Sequence, residues 1–250
     1  MSPINSDVPI GVYIVAMVQK SPDRAKGTGR PSGIETHEVV IPPLGLGGTL
    51  SVPHGATALV TFAHGSGSSR FSPRNRIVAE ALNESGMATL LFDLLTTEEE
   101  SDRANVFDIP LLAGRLVDAV RWLDRDPKFH EMAFGLFGAS TGAAAALVAA
   151  SQLGGRIGAV VSRGGRPDLA QSVLDRVDAP TLLIVGGADH GVIELNEQAL
   201  ARLRGPKALE IMPGASHLFP EPGALEAVVD RARRWFERYL GMNASAATPA

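Results

Sequence analysis

Residues 134–147, which read FGLFGASTGAAAAL, decide the fold. An apolar run ends at Gly138-Ala139-Ser140-Thr141-Gly142, and an alanine-rich run follows it. This pattern is typical of a strand, a sharp turn and a helix, with Ser140 at the turn. Glycine is needed on both sides of the serine because strand and helix approach each other closely there. The motif predicts a nucleophilic serine, and a tight turn with a capping serine is the alternative.

Composition narrows the class of protein. The 250 residues are 45% apolar, which is enough for the core of a single domain. The formal net charge is −4 and the basic residues are scattered, so no nucleic-acid partner is expected. There is no cysteine, which excludes disulfides, thiolate metal sites and a cysteine nucleophile. We expect a cytoplasmic protein that needs neither a metal nor a cofactor.

The two ends of the chain differ from the middle. We predict an N-terminal extension over residues 1–33 that is partly flexible, a single domain over residues 34–240, and a disordered tail over residues 241–250. The apolar run at residues 9–18 is too short to span a bilayer, and no basic residue precedes it as in a secretory signal. We interpret it as an edge strand or a packed segment, and expect no membrane partner.

The hydrophobic periodicity predicts an α/β fold. Residues 34–41 and 46–52 are typical of an antiparallel hairpin. After them strand and helix patterns alternate, which indicates a mostly parallel, doubly wound sheet with helices on both faces. The segment between Val161 and Thr181 is too short for an inserted cap domain. The predicted strands are 58–63, 87–92, 133–137, 157–161, 181–185 and 208–212, and the predicted helices are 75–82, 107–123, a helix after Ser140, 169–174, 193–203 and 225–239.

Two further residues at strand ends complete a catalytic set. Acyl transfer by a serine needs a base to take its proton and a carboxylate to orient that base. Asp189 follows the strand at 181–185 in the run GGADHG, and His217 follows the strand at 208–212 in the run PGASHLF. Ligands of parallel sheets gather at the carboxyl ends of the strands. Ser140, Asp189 and His217 also occur in one of the known triad orders.

Other residues compete for these roles. His190 adjoins Asp189, but a carboxylate next to it in sequence does not readily orient it. Asp93 also lies at a strand end and is the alternative to Asp189, with a structural cap as its milder interpretation. The remaining histidines outside the glycine-rich loop are interpreted as surface or turn residues: His37, His54 and His130.

A glycine-rich loop, residues 64–70 (HGSGSSR), follows the strand at 58–63. Its glycines allow main-chain N–H groups to turn inward. We predict that the N–H groups of Ser66 and Thr141 form an oxyanion hole, with His64 bracing the loop. A phosphate-binding nest is the alternative, but the spacing is not that of a P-loop.

These motifs together resemble the α/β-hydrolase superfamily, and in particular its members similar to dienelactone hydrolase that lack a lid. The resemblance covers residues 34–240 and implies Ser140 as nucleophile, Asp189 as acid, His217 as base, and Ser66 and Thr141 as oxyanion donors. The dienelactone hydrolases proper carry a cysteine nucleophile, where this sequence has Ser140. The resemblance therefore implies general carboxylic-ester chemistry without implying dienelactone as the substrate.

Arginines are the only sign of substrate charge in the sequence. Arg70 closes the glycine-rich loop, and Arg163 and Arg166 follow the strand at 157–161. Guanidinium groups bind carboxylates and phosphates, so Arg70 and Arg163 are candidate substrate-binding residues. Pairing with local acids such as Asp168 is the alternative.

The combined prediction is a serine hydrolase that acts on a small ester, lactone or thioester through an acyl-enzyme. Acyl transfer to an acceptor other than water would use the same residues. A protein of a different class, which binds a ligand on this fold without catalysis, is the second alternative. The sequence carries no signal of oligomeric state.

Overall fold

The structure is a computed structural model, and it describes residues 33–241. The predictions for residues 1–32 and for the tail at 242–250 lie outside the described residues. Over residues 33–241 the structure is an α/β fold with helices on both faces of one sheet.

The sheet has eight strands in the order β1-β2-β4-β3-β5-β6-β7-β8. β1 and β2 form the predicted antiparallel hairpin, β2 pairs antiparallel with β4, and β3 to β8 run parallel. The strand bounds are β1 (Ile34–Ile41), β2 (Leu46–Pro53), β3 (Ala58–Ala63), β4 (Ala88–Phe92), β5 (Ala133–Ala139), β6 (Ile157–Arg163), β7 (Thr181–Gly186) and β8 (Lys207–Met212).

The helices form two layers. α1 and α8 pack on one face of the sheet, and α4, α6 and α7 lie on the other. None of the helices between residues 33 and 241 is both long and apolar enough to cross a membrane. The helix bounds are α1 (Pro73–Glu84), α2 (Thr97–Glu100), α3 (Arg103–Val106), α4 (Ile109–Asp124), α5 (Pro127–His130), α6 (Thr141–Leu153), α7 (His190–Arg202) and α8 (Ala224–Leu240).

Local capping explains two of the differences between the predicted helices and those of the structure. The helix predicted over 107–123 begins at Ile109, because the side chain of Asp108 accepts a hydrogen bond from Leu111 N at 3.0 Å. The unpredicted helix α2 begins at a capping box between Thr96 and Glu99. The helix predicted over 169–174 is a 3-10 segment over Pro167–Arg176.

α6 is buried on all sides in the centre of its layer. Its residues Ala143 to Leu147 have no exposed surface, and α4 and the 3-10 segment flank it. Alanine leaves room for these neighbours to approach, while a larger side chain would push them apart. The core therefore holds the start of α6, and with it Ser140, in one position against β5.

Candidate active site

Ser140 lies in the sharp turn between β5 and α6 with strained main-chain angles. Its φ is 52° and its ψ is −120°, a region that residues other than glycine rarely adopt. A Cβ at Gly142 would collide with the carbonyl oxygens of Ala63 and His64, and a Cβ at Gly138 would lie 2.6 Å from the Gly142 oxygen. The turn therefore requires both glycines of the motif.

The loop that leaves β6 holds this turn from both sides. Ser140 N donates a hydrogen bond to Arg163 O at 3.1 Å, and Arg166 N donates one to Ser140 O at 3.2 Å. Both peptide groups beside the strained residue thus have partners. These hydrogen bonds on both sides of Ser140 hold its main chain in the strained conformation.

His217 and Asp189 are joined by a hydrogen bond. His217 Nδ1 lies 2.7 Å from Asp189 Oδ2, and the two side chains are 38% and 20% exposed. The loops that carry them are bonded to each other, because Ala188 N donates to Ala215 O at 2.9 Å. Of the two histidines near Asp189, the structure joins His217 to it, whereas His190 is exposed at the start of α7.

This contact defines the tautomer of the imidazole. An ionised carboxylate only accepts hydrogen bonds, so the proton lies on Nδ1 of His217 and donates to Asp189. Nε2 is then the unprotonated nitrogen, which is the one that a general base uses.

Ser140 and His217 lie at the same edge of the sheet, on either side of the end of β6. Arg163 accepts the hydrogen bond from Ser140 N, and the next residue, Gly164, adjoins His217. A Cβ at Gly164 would lie 3.0 Å from His217 O and 3.6 Å from its ring atom Cε1. The two predicted catalytic residues therefore both border the dipeptide Arg163-Gly164.

Asp93 has a different partner. Arg70 N donates to Asp93 Oδ1 at 2.9 Å, and the Arg70 guanidinium contacts Asp93 Oδ2. The same guanidinium lies 3.7 Å from a carboxylate oxygen of Glu38. Arg70, expected as a substrate-binding residue, thus faces two acids of its own chain instead of standing free. These contacts favour the structural interpretation of Asp93, which stays a prediction.

Arg166 follows the local-pairing alternative as well. Its Nε and Nη2 donate to the two carboxylate oxygens of Asp168 at 2.8 and 2.7 Å. This bidentate pair raises the pKa of Arg166.

Arg163 differs from the other two. It is only 6% exposed, and the one hydrogen bond of its side chain among residues 33–241 runs from Nη2 to Asn75 Oδ1 at 3.4 Å. Burial, together with the positive charge of Arg74, lowers its pKa to about 10. Sequence reasoning identified Arg163 but not Arg74 or Asn75, because nothing in a helical pattern shows which side chains meet a distant strand.

The glycine-rich loop meets the start of α6 through a side chain. Ser66 N donates to Thr141 Oγ1 at 3.0 Å, so the N–H predicted to face a substrate oxygen faces the Thr141 hydroxyl. The main-chain N–H of Thr141 has no acceptor within residues 33–241. The role of Ser66 and Thr141 as oxyanion donors stays a prediction, and no motif in the sequence indicated the hydroxyl contact.

His64 holds this loop through both ring nitrogens. Nε2 accepts from Leu94 N at 3.1 Å, and Nδ1, which then carries the proton, donates to Gly65 O at 3.1 Å. Burial lowers the pKa of His64, which keeps the ring neutral. Because the Gly65 carbonyl points toward His64, the N–H of Ser66 in the same peptide points away from it.

A cavity of about 360 Å³ adjoins the glycine-rich loop. One wall is the loop itself, and the opposite wall is mostly apolar, with one carboxylate. The residues of that wall are Leu94, Leu95, Glu100, Val106 and Leu112.

Comparison with known proteins shows the family of the chain. Residues 56–244 match the dienelactone hydrolase family. The chain belongs to this family. The resemblance inferred from the motifs is confirmed. A crystal structure of the dienelactone hydrolase of Anabaena variabilis is 56% identical, covers 84% of this chain and 99% of that chain, and has a TM-score of 0.79.

More distant and longer relatives also match. Est1E of Butyrivibrio proteoclasticus is 16% identical with a TM-score of 0.68 over 81% of this chain and 98% of that chain, which shows the shared fold alone. A Mycobacterium tuberculosis protein named "Putative phosphoribosyl transferase" is 57% identical over 82% of this chain. The chain spans about half the length of that relative, since the match covers 46% of it.

Proposed function

We propose that the protein is a serine hydrolase that cleaves a small carboxylic ester, lactone or thioester through an acyl-enzyme on Ser140. The observation that carries this proposal is the 2.7 Å hydrogen bond between His217 Nδ1 and Asp189 Oδ2. It supplies an oriented base at the edge of the sheet where a serine lies in a strained turn. Nucleophile, base and orienting carboxylate are the three groups that acyl transfer by serine needs.

In the first half-reaction Ser140 Oγ attacks the carbonyl carbon while His217 Nε2 takes its proton. Asp189 stabilises the imidazolium that forms. The negative charge on the former carbonyl oxygen is met by the N–H of Thr141, and by the N–H of Ser66, which it shares with the Thr141 hydroxyl. The alcohol then leaves with the proton from His217. In the second half-reaction water attacks the acyl-enzyme by the same route.

The cavity beside the glycine-rich loop suits an apolar part of the substrate. Its wall includes Leu94 and Val106, and the loop wall carries Ser66. A substrate that extends from Ser140 past the loop would place an acyl or alcohol group there. Apolar walls with few polar groups are typical of small-molecule sites.

Fluorophosphonate labelling and p-nitrophenyl ester hydrolysis test the proposal. Wild-type protein should be labelled at Ser140 and hydrolyse short esters. Ser140→Ala should lose labelling and about 10³ to 10⁶ in kcat while it keeps its melting temperature. Ser85→Ala, a serine at the far end of α1, is the matched control and should behave as wild type.

Two outcomes would favour the alternatives. Ester products formed with added alcohols, in excess of free acid, would indicate acyl transfer. Absence of both labelling and turnover in folded protein would overturn catalysis and leave a binding function. Phosphoribosyl transfer, suggested by the name of the longer relative, is not extended to this chain, because more than half of that relative lies outside the match.

A further inference from the structure

Arg163 is a buried cation without a counter-charge. Its Nε and Nη1 atoms are buried and have no hydrogen-bond partner among residues 33–241. The single hydrogen bond of its side chain within residues 33–241, to Asn75 Oδ1, is long at 3.4 Å and goes to a neutral amide. Burying an unpaired charge is costly, so native proteins pair such groups.

The contrast with the other arginines is clear. In the described part of the chain, every other arginine that is not exposed lies within 4.0 Å of a carboxylate, except Arg74. These paired arginines are Arg70, Arg115, Arg156, Arg166, Arg231 and Arg233. Arg74 is half-buried, and its Nε atom is also buried without a hydrogen-bond partner among the described residues. Its positive charge repels that of Arg163. Two like charges thus face each other with no acid between residues 33 and 241 to offset them.

The surroundings add further positive potential. Arg74 and Asn75 lie in the first turn of α1, and the amino end of a helix carries partial positive charge. Arg163 keeps its own charge at neutral pH, because its pKa of about 10 is still well above 7. A small oxyanion would neutralise this cluster, and carboxylate and phosphate oxygens both match the guanidinium fork.

The cluster borders the proposed catalytic residues. Arg163 O accepts the hydrogen bond from Ser140 N, and Gly164 adjoins His217. α1 begins directly after the glycine-rich loop, where Ser72 N donates to Ser69 O at 3.0 Å. The main chain of Arg163 therefore contacts Ser140, while its side chain lies on the α1 side of the sheet, where it meets Asn75. The apolar cavity lies on the α4 side.

We propose that Arg163 and Arg74 form an anion subsite that binds a carboxylate or phosphate group of the substrate, so that the preferred substrates are anionic esters. This assignment rests on the proposed hydrolase function. Arg74 is only half-buried whereas Arg163 is buried, so an anion would reach the pair from the side of Arg74. The subsite differs from Arg70, whose charge is already met by Asp93.

The kinetic test compares p-nitrophenyl hydrogen succinate with p-nitrophenyl butyrate, which has no carboxylate. Arg163→Met and Arg74→Gln should lower the ratio of kcat/KM for the anionic ester to that for the neutral ester by about 10- to 100-fold. Arg166→Gln, which removes the same charge from the same loop but from a paired arginine, should leave the ratio unchanged. An unchanged ratio in both Arg163→Met and Arg74→Gln would overturn the proposal.

A binding test does not depend on catalysis. In the Ser140→Ala background, inorganic phosphate or succinate at low ionic strength should raise the melting temperature, and Arg163→Met should abolish the shift. A response to phosphate alone identifies a phosphate ester as the substrate class, and a response to succinate alone identifies a carboxylate. If neither anion shifts the melting temperature, the subsite is overturned even if the esterase is active. If both do while no ester is hydrolysed, only the proposed function fails.

Discussion

Ser66 and Thr141, 75 residues apart in the sequence, are joined by a 3.0 Å hydrogen bond from the Ser66 N–H to the Thr141 hydroxyl. The bond connects the glycine-rich loop after β3 to the first residue of α6. It fixes the distance between the two main-chain groups that we propose as oxyanion donors. We therefore infer that the hydroxyl positions the donors of the proposed oxyanion hole.

We expect Thr141→Val to lower kcat for p-nitrophenyl esters by about tenfold. The loss should be smaller than the 10² to 10³ that follows removal of a donor, because both N–H groups remain and only their placement changes. Thr141→Ser keeps the hydroxyl and should restore most of kcat. Equal kcat in wild type and Thr141→Val would show that the hydroxyl does not position the donors.

Substitution of Asp189 should affect activity, whereas substitution of Asp93 should affect stability. Asp189→Asn should lower kcat by about 10⁴, because the amide holds the wrong imidazole tautomer of His217. Asp93→Asn should lower stability by about 1–3 kcal/mol, because Arg70 loses the carboxylate that pairs with it, with little change in kcat. Ester hydrolysis kinetics measure kcat of both variants, and thermal melts measure their stability. The opposite assignment would follow from loss of activity in Asp93→Asn at an unchanged melting temperature.

His64 should make stability depend on pH. Its pKa is lowered below the ordinary value of 6.5 by burial. The unfolded chain therefore takes up a proton at a higher pH than the folded one. Stability is full above pH 6.5 and falls as the pH drops from there toward the folded pKa, by at most about 1.4 kcal/mol per pH unit.

Denaturant unfolding between pH 7.5 and pH 5 would measure this slope. His64→Asn cannot titrate and should lose less stability over that range than wild type. His54→Asn, at an exposed position, should retain the wild-type slope. Equal slopes in wild type and His64→Asn would place the pH sensitivity elsewhere.

Two glycine substitutions should have opposite effects. Gly142→Ala should destabilise the protein by about 3 kcal/mol or more, since the new Cβ would collide with main-chain oxygens of Ala63 and His64. Gly114→Ala, inside α4 with nothing within 4 Å of the added Cβ, should stabilise by about 0.5–1 kcal/mol. Chemical denaturation compares the two. Wild-type stability in Gly142→Ala would contradict the close approach of α6 to β3.

Local sequence patterns determined most of the fold. The strand and helix patterns are periodic, and periodicity is a property of neighbouring residues, so the parallel sheet and the turn at Ser140 could be predicted. The capping box at Thr96 and Glu99 is also local, and α2 could have been found from it. The 3-10 form of residues 167–176 could not, because its apolar spacing resembles that of a short α-helix.

The choice of partners was decided only by the tertiary structure. Asp93 and Asp189 both follow strands, and the sequence left them as rivals for His217. In the sheet β7 lies next to β8, whereas β4 is separated from β8 by four strands, so the loop of Asp189 reaches His217 and that of Asp93 reaches Arg70. The order of strands in the sheet also determines which charged side chains meet. That order brings the side chain of Arg163 to Asn75 of α1, and Arg163 forms no ion pair with an acid between residues 33 and 241.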